Sequence, residues 1–400
     1  MNIFIINTGS SSIKYQLFKM PDENPVCSGL VERIGLYDAI ITHKIFEAEE
    51  VTVIKETLQL PNHEAGLYEV ARLLTDKVIG VIQNPDEIDA VGHRVVHGGE
   101  SFKATTIITD AVKAKIKQLF SLAPLHNPAN YLGIQVAEKI FTKAKQIAVF
   151  DTAFYQTMPE KAFRYAIPDE FYTRHLIRAY GFHGTSHKYV SELAAGYLGK
   201  KNAKIITIHL GNGCSMTAVD CGKAVDTSMG FGPNSGLIMG TRSGDIDSSV
   251  IFYLIDKLGY IPQEVSDLLN KKSGMAGLTG LSDMRDINSA IAAGDKHAML
   301  ATELYTYRIQ KTIGAYTAVL NGLDAIVFTA GVGENAIDIR QRVCTNMQYL
   351  GLLLDEEKNK IPKAGIREIN LPISPVKILV IPTNEELEIV KQCYQLLETT

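Results

Sequence analysis

Cysteine is scarce in this chain of 400 residues, with five thiols at Cys27, Cys214, Cys221, Cys344 and Cys393. The count is odd and no pair has metal-ligand spacing. That excludes a complete disulfide framework and reads as the reduced thiols of a cytoplasmic protein. Cys214 is expected to act as a small buried hydrophobe. No apolar run approaches the roughly 20 residues of a membrane helix. The N-terminal apolar run stops at Ile6, lacks a basic leader and meets a polar turn, so neither a secretory signal nor membrane association is expected. Positive charge is not in surplus either. A formal net charge of -4, without any dense Lys/Arg block, argues against a nucleic-acid partner. Local phosphate binding needs only a few arginines. Two phosphate signatures are also missing, GxxxxGK[ST] and GxGxxG, which weakens the P-loop and Rossmann dehydrogenase readings.

Two glycine-broken strand pairs stand out instead. The first runs Ile3–Ile6, then Asn7-Thr8-Gly9-Ser10-Ser11-Ser12, then Ile13–Phe18. The second runs Ile205–Ile208, then His209-Leu210-Gly211-Asn212-Gly213-Cys214-Ser215, then Met216–Val219. Each reads as a hairpin whose small-residue turn exposes amides and hydroxyls to a phosphate. One such turn is weak evidence, since most are only turns. Two of them, heading the two halves of a chain too long for one core, point to duplicated domains facing across a nucleotide.

Periodicity predicts helices over 64–83, from Asp110 to Leu119, and from Asn130 to Phe141. Further helices are expected over 187–198, 248–258, 263–269 and 296–320, and from Asn384 toward Leu397. Strands are expected at 90–91, 146–150, 325–329 and 377–381. Alternation of the two types gives an α/β fold. No linker or low-complexity tract separates the halves, which are expected to be joined tightly.

Five segments carry chemistry. His93-Arg94-Val95-Val96-His97-Gly98-Gly99 follows a short strand. Arg94 reads either as a surface ion pair or as a planar fork for a carboxylate or phosphate. Asp151 ends the strand before it, where α/β folds hold metal or substrate, although a helix cap is the competing role. His183 sits in the Gly-flanked stretch Tyr180–His187, exposed enough to donate to a phosphoryl oxygen; a lone histidine is more often structural. Arg242 lies in Gly240-Thr241-Arg242-Ser243-Gly244-Asp245, whose glycines keep it irregular and favour a functional loop. Gly331-Val332-Gly333-Glu334-Asn335 follows a strand and suits a nucleotide packed on backbone.

Together and in this order, NTGSSSIK (7–14), HRVVHGG (93–99), YGFHGTSH (180–187), MGTRSGD (239–245) and GVGEN (331–335) resemble the acetate kinase family over nearly the whole chain. The resemblance implies two duplicated ribonuclease H-like domains around an ATP cleft, residues 1–150 plus 386–400 and residues 151–385. It implies a cytoplasmic homodimer that uses Mg²⁺, with Mn²⁺ as a substitute, to transfer phosphate between ATP/ADP and acetate/acetyl phosphate. By position, Asn7 and Glu385 would be the metal-site residues, with Ser10 and Ser12 in the phosphate turn. Lys14, His209, Leu210, Gly211, Asn212, Gly213, Asp283, Met284, Arg285, Gly331, Val332, Gly333, Glu334 and Asn335 would bind nucleotide. Arg94 would take the carboxylate, with Val96, Leu125, Phe182 and Pro233 as the apolar wall. Asp151, His183 and Arg242 would form the catalytic set.

One loop departs from the family pattern. Where acetate kinases have a threonine, the pocket proline and then Leu-Glu-Gly, this chain has Gly232-Pro233-Asn234-Ser235-Gly236, and Ser248 replaces a usual proline. Added backbone freedom predicts a weaker grip on acetate. Propionate kinase is the neighbouring alternative, because one methylene changes binding by only about 1–3 kcal/mol. An ATP-gated actin- or chaperone-like protein is a remote alternative that would need no carboxylate-binding arginine.

Overall fold

The computed structural model describes residues 1–47, 50–124 and 126–399. Leu125 therefore lies outside the described residues. The chain divides into a first unit, Met1–Phe154 with Asn384–Thr400, and a second unit, Tyr155–Thr383. The sequence reading put these changeovers a few residues away, at 150/151 and 385/386.

In the first unit an eight-stranded sheet has the order β5-β4-β3-β2-β1-β6-β8-β7. Its strands are β1 Asn2–Thr8, β2 Ile13–Lys19, β3 Pro25–Glu32, β4 Ala39–Glu47, β5 Glu50–Leu58, β6 Ala90–Val95, β7 Thr106–Ile107 and β8 Lys145–Phe150. Strands β1 to β5 form an antiparallel meander, while β6 and β8 run parallel to β1. Ile3, Phe4, Ile5 and Ile6 are all buried, because alternate side chains of β1 enter cores on opposite faces. Phe4 and Ile6 pack with Leu67, Val70 and Leu73 of the helix His63–Leu74, and with Val136 and Ala137 of the helix Asn127–Ile140. Ile5 faces the closing helix, Glu385–Glu398, across Gly92. A Cβ there would stand 2.7 Å from Ile5 Cδ1 and 2.8 Å from Cys393 Sγ, so glycine is what lets that helix approach. Each fully buried aliphatic chain in such a layer contributes about 1.5–3 kcal/mol.

The second unit repeats the plan. Its strands are β9 Lys204–Leu210, β10 Cys214–Asp220, β11 Lys223–Thr227, β12 Ala325–Thr329, β13 Arg367–Glu368 and β14 Lys377–Val380. The sheet order is β11-β10-β9-β12-β14-β13, with β12 and β14 parallel to β9. Third, second and first strand, then two parallel strands and a short antiparallel edge, is the arrangement of both sheets. That is the expected duplicated ribonuclease H-like pattern. In each unit the carboxyl ends of the parallel strands share one edge, where α/β folds bind ligands. The long helix Lys296–Leu320 has the expected bounds. Asp295 caps it by accepting from the His297 and Ala298 N–H groups, and its buried face includes Ala301, Tyr305, Ile309, Ile313 and Tyr316.

Two expectations need correction. The helix over 64–83 ends at Leu74. The Thr75 hydroxyl donates back to Ala71 O at 2.9 Å, and Asp76 Oδ1 accepts from the Val78 N–H at 2.8 Å and the Ile79 N–H at 3.2 Å. Local side-chain bonds thereby replace the helical ladder, and Val78 is exposed. The meander over Pro25–Leu58 was not anticipated beyond a general opening in strands, since β5 is half solvated and its alternation is weak.

Candidate active site

The first unit assembles one charged set at the carboxyl ends of β1, β6 and β8. Register places Asn7 opposite Lys14, Ile6 beside His93, and Val95 beside Phe150. Asn7 and Arg94 therefore emerge close together, and Asp151 follows directly. Arg94 Nη2 donates to the buried Asp151 carboxylate, and Nη1 donates to Asn7 Oδ1 at 3.3 Å. Nε lies 3.6 Å from Glu385 Oε2. Lys14, expected at the nucleotide, pairs with the buried Glu386 at 2.9 Å. Two cations thus meet three carboxylates. Burial, together with the Asp151 and Glu386 charges, raises the carboxyl pKa of Glu385 against the pull of Arg94 and Lys14. Asp151 is the buried counter-charge of Arg94.

The turn before this set is held from below. Gly9 N–H donates to Ser12 O at 2.8 Å, and the His63 ring bonds Gly9 O through Nε2 at 2.8 Å, leaving Ser10 exposed and Ser12 partly so. Asn130 joins two strand ends, donating to Thr8 O at 2.7 Å and accepting from the Val96 N–H at 3.1 Å. Val96 itself is buried. Sequence reading passed over Asn130 and Glu386. The signals available were an amide in an apolar helix stripe and a second acid beside Glu385 in a first helical turn.

In the second unit His183 takes a left-handed backbone, φ 58°, at the start of the helix Gly184–Leu198. Such a conformation costs a non-glycine residue about 1–3 kcal/mol and is retained where surroundings dictate it. His183 Nδ1 shares a hydrogen bond of 2.8 Å with Ser215 Oγ, and its ring stacks on His209 at 4.2 Å between centroids. Ser215 also meets His187 Nε2 at 2.7 Å, and His187 Nδ1 meets Thr207 Oγ1 at 2.6 Å. His209 Nδ1 bonds Ser186 Oγ at 2.8 Å, which in turn bonds Thr383 Oγ1 at 2.8 Å. Burial and the neighbouring His209 hold His187 far below its ordinary pKa. The Phe182 carbonyl, next in chain, accepts from Tyr155 OH at 2.6 Å.

Arg242 stands beside this network. A Cβ added at Gly213 would lie 3.3 Å from His183 Cε1 and 3.6 Å from Arg242 Nη1, so glycine in the β9–β10 turn brings the two together. Arg242 donates to Pro233 O at 3.2 Å, and no carboxylate lies within ion-pair distance among the described residues. Burial lowers its pKa. A partly buried guanidinium without a counter-ion is a ready anion partner. The atypical loop is better tethered than its glycines imply. Tyr180 N–H donates to Gly230 O at 3.0 Å, Phe231 N–H to Tyr165 OH at 2.7 Å, and Gly236 N–H to Asp245 Oδ1 at 2.7 Å. Asn234 reaches Ser243 Oγ at 3.3 Å, while nothing lies within 4 Å of a Cβ at Gly232.

Three distant segments line one cavity of about 730 Å³ in this unit: Gly211–Asn212, Ser282–Arg285 with Asn288, and Gly331–Val332 with Asn335–Asp338. Gly211 N–H closes the hairpin turn on Gly213 O at 3.0 Å, and Gly240 N–H donates to Asn212 O at 3.0 Å. Asp283 caps the helix Met284–Ala292 and takes a bidentate bond from Arg285, which holds its carboxyl down at about 2. Asn335 donates to Gly331 O at 2.8 Å. His209, Leu210, Gly213, Gly333 and Glu334 do not line the cavity; they back it. Ser282, Asn288 and Asp338 are additions that no motif signalled.

Comparison with known proteins gives the family. The profile of the Acetokinase family matches residues 2–391. The acetate kinase of Flavobacterium johnsoniae is 60% identical, with 100% of each chain covered. Among solved structures, the acetate kinase of Porphyromonas gingivalis superposes with a TM-score of 0.92 at 43% identity, covering 99% of each chain. A propionate kinase from Francisella tularensis superposes with a TM-score of 0.90 at 42% identity, covering 98% of each. On a profile match that runs almost end to end and full-length identity of this degree, the chain belongs to the acetokinase family.

Proposed function

We propose that this protein is a phosphotransferase with a carboxyl group as acceptor, moving the γ-phosphoryl group of ATP reversibly to acetate. An acetate oxygen bonds to the γ-phosphorus as the bond to the β–γ bridging oxygen breaks, giving acetyl phosphate and ADP. The observation that carries the reading is the convergence of the Gly211–Asn212, Asp283–Arg285 and Gly331–Asn335 segments on one nucleotide-sized cavity. Such transfer is largely positioning and charge stabilisation. In this reading Arg242, free of any carboxylate, and His183, oriented by Ser215, stabilise the charge on the equatorial oxygens of the transferring group. Arg94 grips the acid, with the buried Val96 beside the methyl. Acetate is ionised near neutral pH and needs no base, so Asp151 acts by positioning Arg94.

A divalent cation fits the first unit's donors. The set holds more carboxylate than cation, and burial with the acidic neighbours of Glu385 raises its carboxyl pKa, which a cation beside it would offset. Among the described residues no three acidic, histidine or cysteine side chains converge on one point. That matches Mg²⁺, which takes one or two protein ligands and completes its shell with water and phosphate. Asn7 and Glu385 would hold it, and it would offset phosphate charge. We include a homodimer, supported by the exposed Val250, Phe252 and Tyr253 on the helix Ser248–Asp256, which a second copy would cover. A cytoplasmic location accords with the free thiols and with the lack, among the described residues, of a helix able to cross a membrane.

ADP release with ATP and Mg²⁺ in the presence of acetate, propionate, butyrate or no acid tests the reading. Acetate-dominant turnover is expected. Propionate dominance would favour the second reading, which the likeness to a propionate kinase supports. Turnover independent of any acid would overturn both.

A further inference from the structure

Arg340 is the largest fully buried side chain of the molecule, yet no carboxylate lies within ion-pair distance among the described residues. Its nitrogens go to neutral acceptors instead. Nε donates to Asn359 Oδ1 at 2.7 Å and Nη2 to Asn359 O at 3.0 Å. Nη1 donates at 2.9 Å to both Gly333 O and Glu334 O. Burial pushes the guanidinium pKa down to about 10, and Arg367 adds to this. Burying an uncompensated charge is costly, and what offsets the cost here is a set of four hydrogen bonds to neutral acceptors.

The two carbonyls show what these bonds hold. Gly333 and Glu334 are the residues of the Gly331–Asn335 segment that do not line the nucleotide cavity, whereas Gly331, Val332 and Asn335 do. The segment opens on Ala330 with φ 64°, a strained left-handed conformation that must be held from outside. Arg367 Nη2 donates to Glu334 O at 2.8 Å, and the Thr383 N–H reaches Glu334 Oε1 at 3.2 Å. We infer that Arg340, seconded by Arg367, is a positioning residue for the nucleotide: it fixes the back of the Gly331–Asn335 segment so that its front presents one rigid face to the bound nucleotide. This rests on the nucleotide reading of the cavity.

Lysine keeps the charge but cannot fork to Asn359 and two carbonyls at once. Titration calorimetry with MgATP, without acetate, is run on wild type, Arg340→Lys and Arg367→Gln, with acetate KM and thermal midpoint measured in parallel. The dissociation constant should rise about tenfold in Arg340→Lys and roughly threefold in Arg367→Gln, while acetate KM stays within about twofold of wild type. A merely structural arginine would lower the thermal midpoint and the active fraction but leave the affinity of the folded molecules alone. Unchanged affinity in both variants overturns the inference, as does an equal rise in acetate KM. Should Arg340→Lys not fold, the partly exposed Arg367→Gln decides by the same criterion. Wild type that binds no MgATP would instead overturn the nucleotide reading itself.

Discussion

Arg94 and Arg242 are both half-hidden guanidinium groups at sheet edges, and they live in opposite electrostatic worlds. Arg94 belongs to a set in which carboxylates outnumber cations. Among the described residues Arg242 has only a carbonyl and a thioether as partners. The first arrangement is closed on itself and attracts further positive charge, which suits a metal ion and leaves an anionic substrate to compete for the arginine. The second has charge to spare, which suits an anion. Removing Arg94 also breaks a buried network, while removing Arg242 breaks few contacts.

The comparison can be tested in order of effect. Arg242→Ala should lower kcat for acetate by roughly three powers of ten, with the free energy of urea unfolding changed by about 1 kcal/mol or less. Arg94→Ala should abolish most turnover and also cost about 3 kcal/mol, because the buried Asp151 carboxylate loses its guanidinium counter-charge. Equal stability losses in the two variants would erase the distinction.

Acid should separate the units next. His43, His93 and His97, all in the first unit, are buried neutral with pKa values lowered by burial to about 4. The unfolded chain, titrating near 6.5, binds more protons between those values. Stability is therefore full above pH 6.5 and falls as pH drops toward 4, by up to about 2 kcal/mol per histidine at pH 5. In the second unit burial and the neighbouring His209 also lower the pKa of His187. Hydrogen exchange at pH 5 should show first-unit strands opening before second-unit strands, and the reverse order would contradict this.

Smaller effects probe the second site alone. Gly213→Ala should lower kcat about tenfold by pushing His183 from Arg242 with little change in thermal midpoint; unaltered kcat would show that their spacing is not critical. The triple change Gly232→Thr, Asn234→Leu and Ser235→Glu should lower acetate KM twofold to fivefold, equivalent to about 0.4–1 kcal/mol of backbone freedom removed. The tethers at Phe231 and Gly236 keep that gain small, and a KM that rose instead would show the native loop to be the better pocket.

Much of this was legible in one dimension. The long helix Lys296–Leu320 and β12 could be read residue by residue, because cap, period and turn chemistry are local. So could two of the three segments that line the cavity, at Gly211–Asn212 and at Gly331–Val332, since a glycine turn after a strand advertises open backbone, whereas Asp283–Arg285 came only through the family resemblance. The helix over 64–83 was overread because Thr75 and Asp76 divert the ladder through bonds that periodicity does not register. Asn130, Ser215 and Arg340 were missed for a shared reason. Each is a polar group whose meaning lies in partners that folding supplies, from 7 residues away for Arg340 to 122 for Asn130.

The sequence by itself determined the strand and helix types, the pairing of two hairpins with two domains, and the family to which the motifs belong. These depend on spacing and on side-chain identity within a few residues. Only the tertiary structure decided that Arg94 would be surrounded by acid and Arg242 left without it, and that His183 would stack on His209. It also decided that a buried Arg340 would hold the back of the Gly331–Asn335 segment. Charge environment, burial and hydrogen-bond partnership are properties of neighbours in space, and β-sheet register brings those neighbours from far apart in the chain.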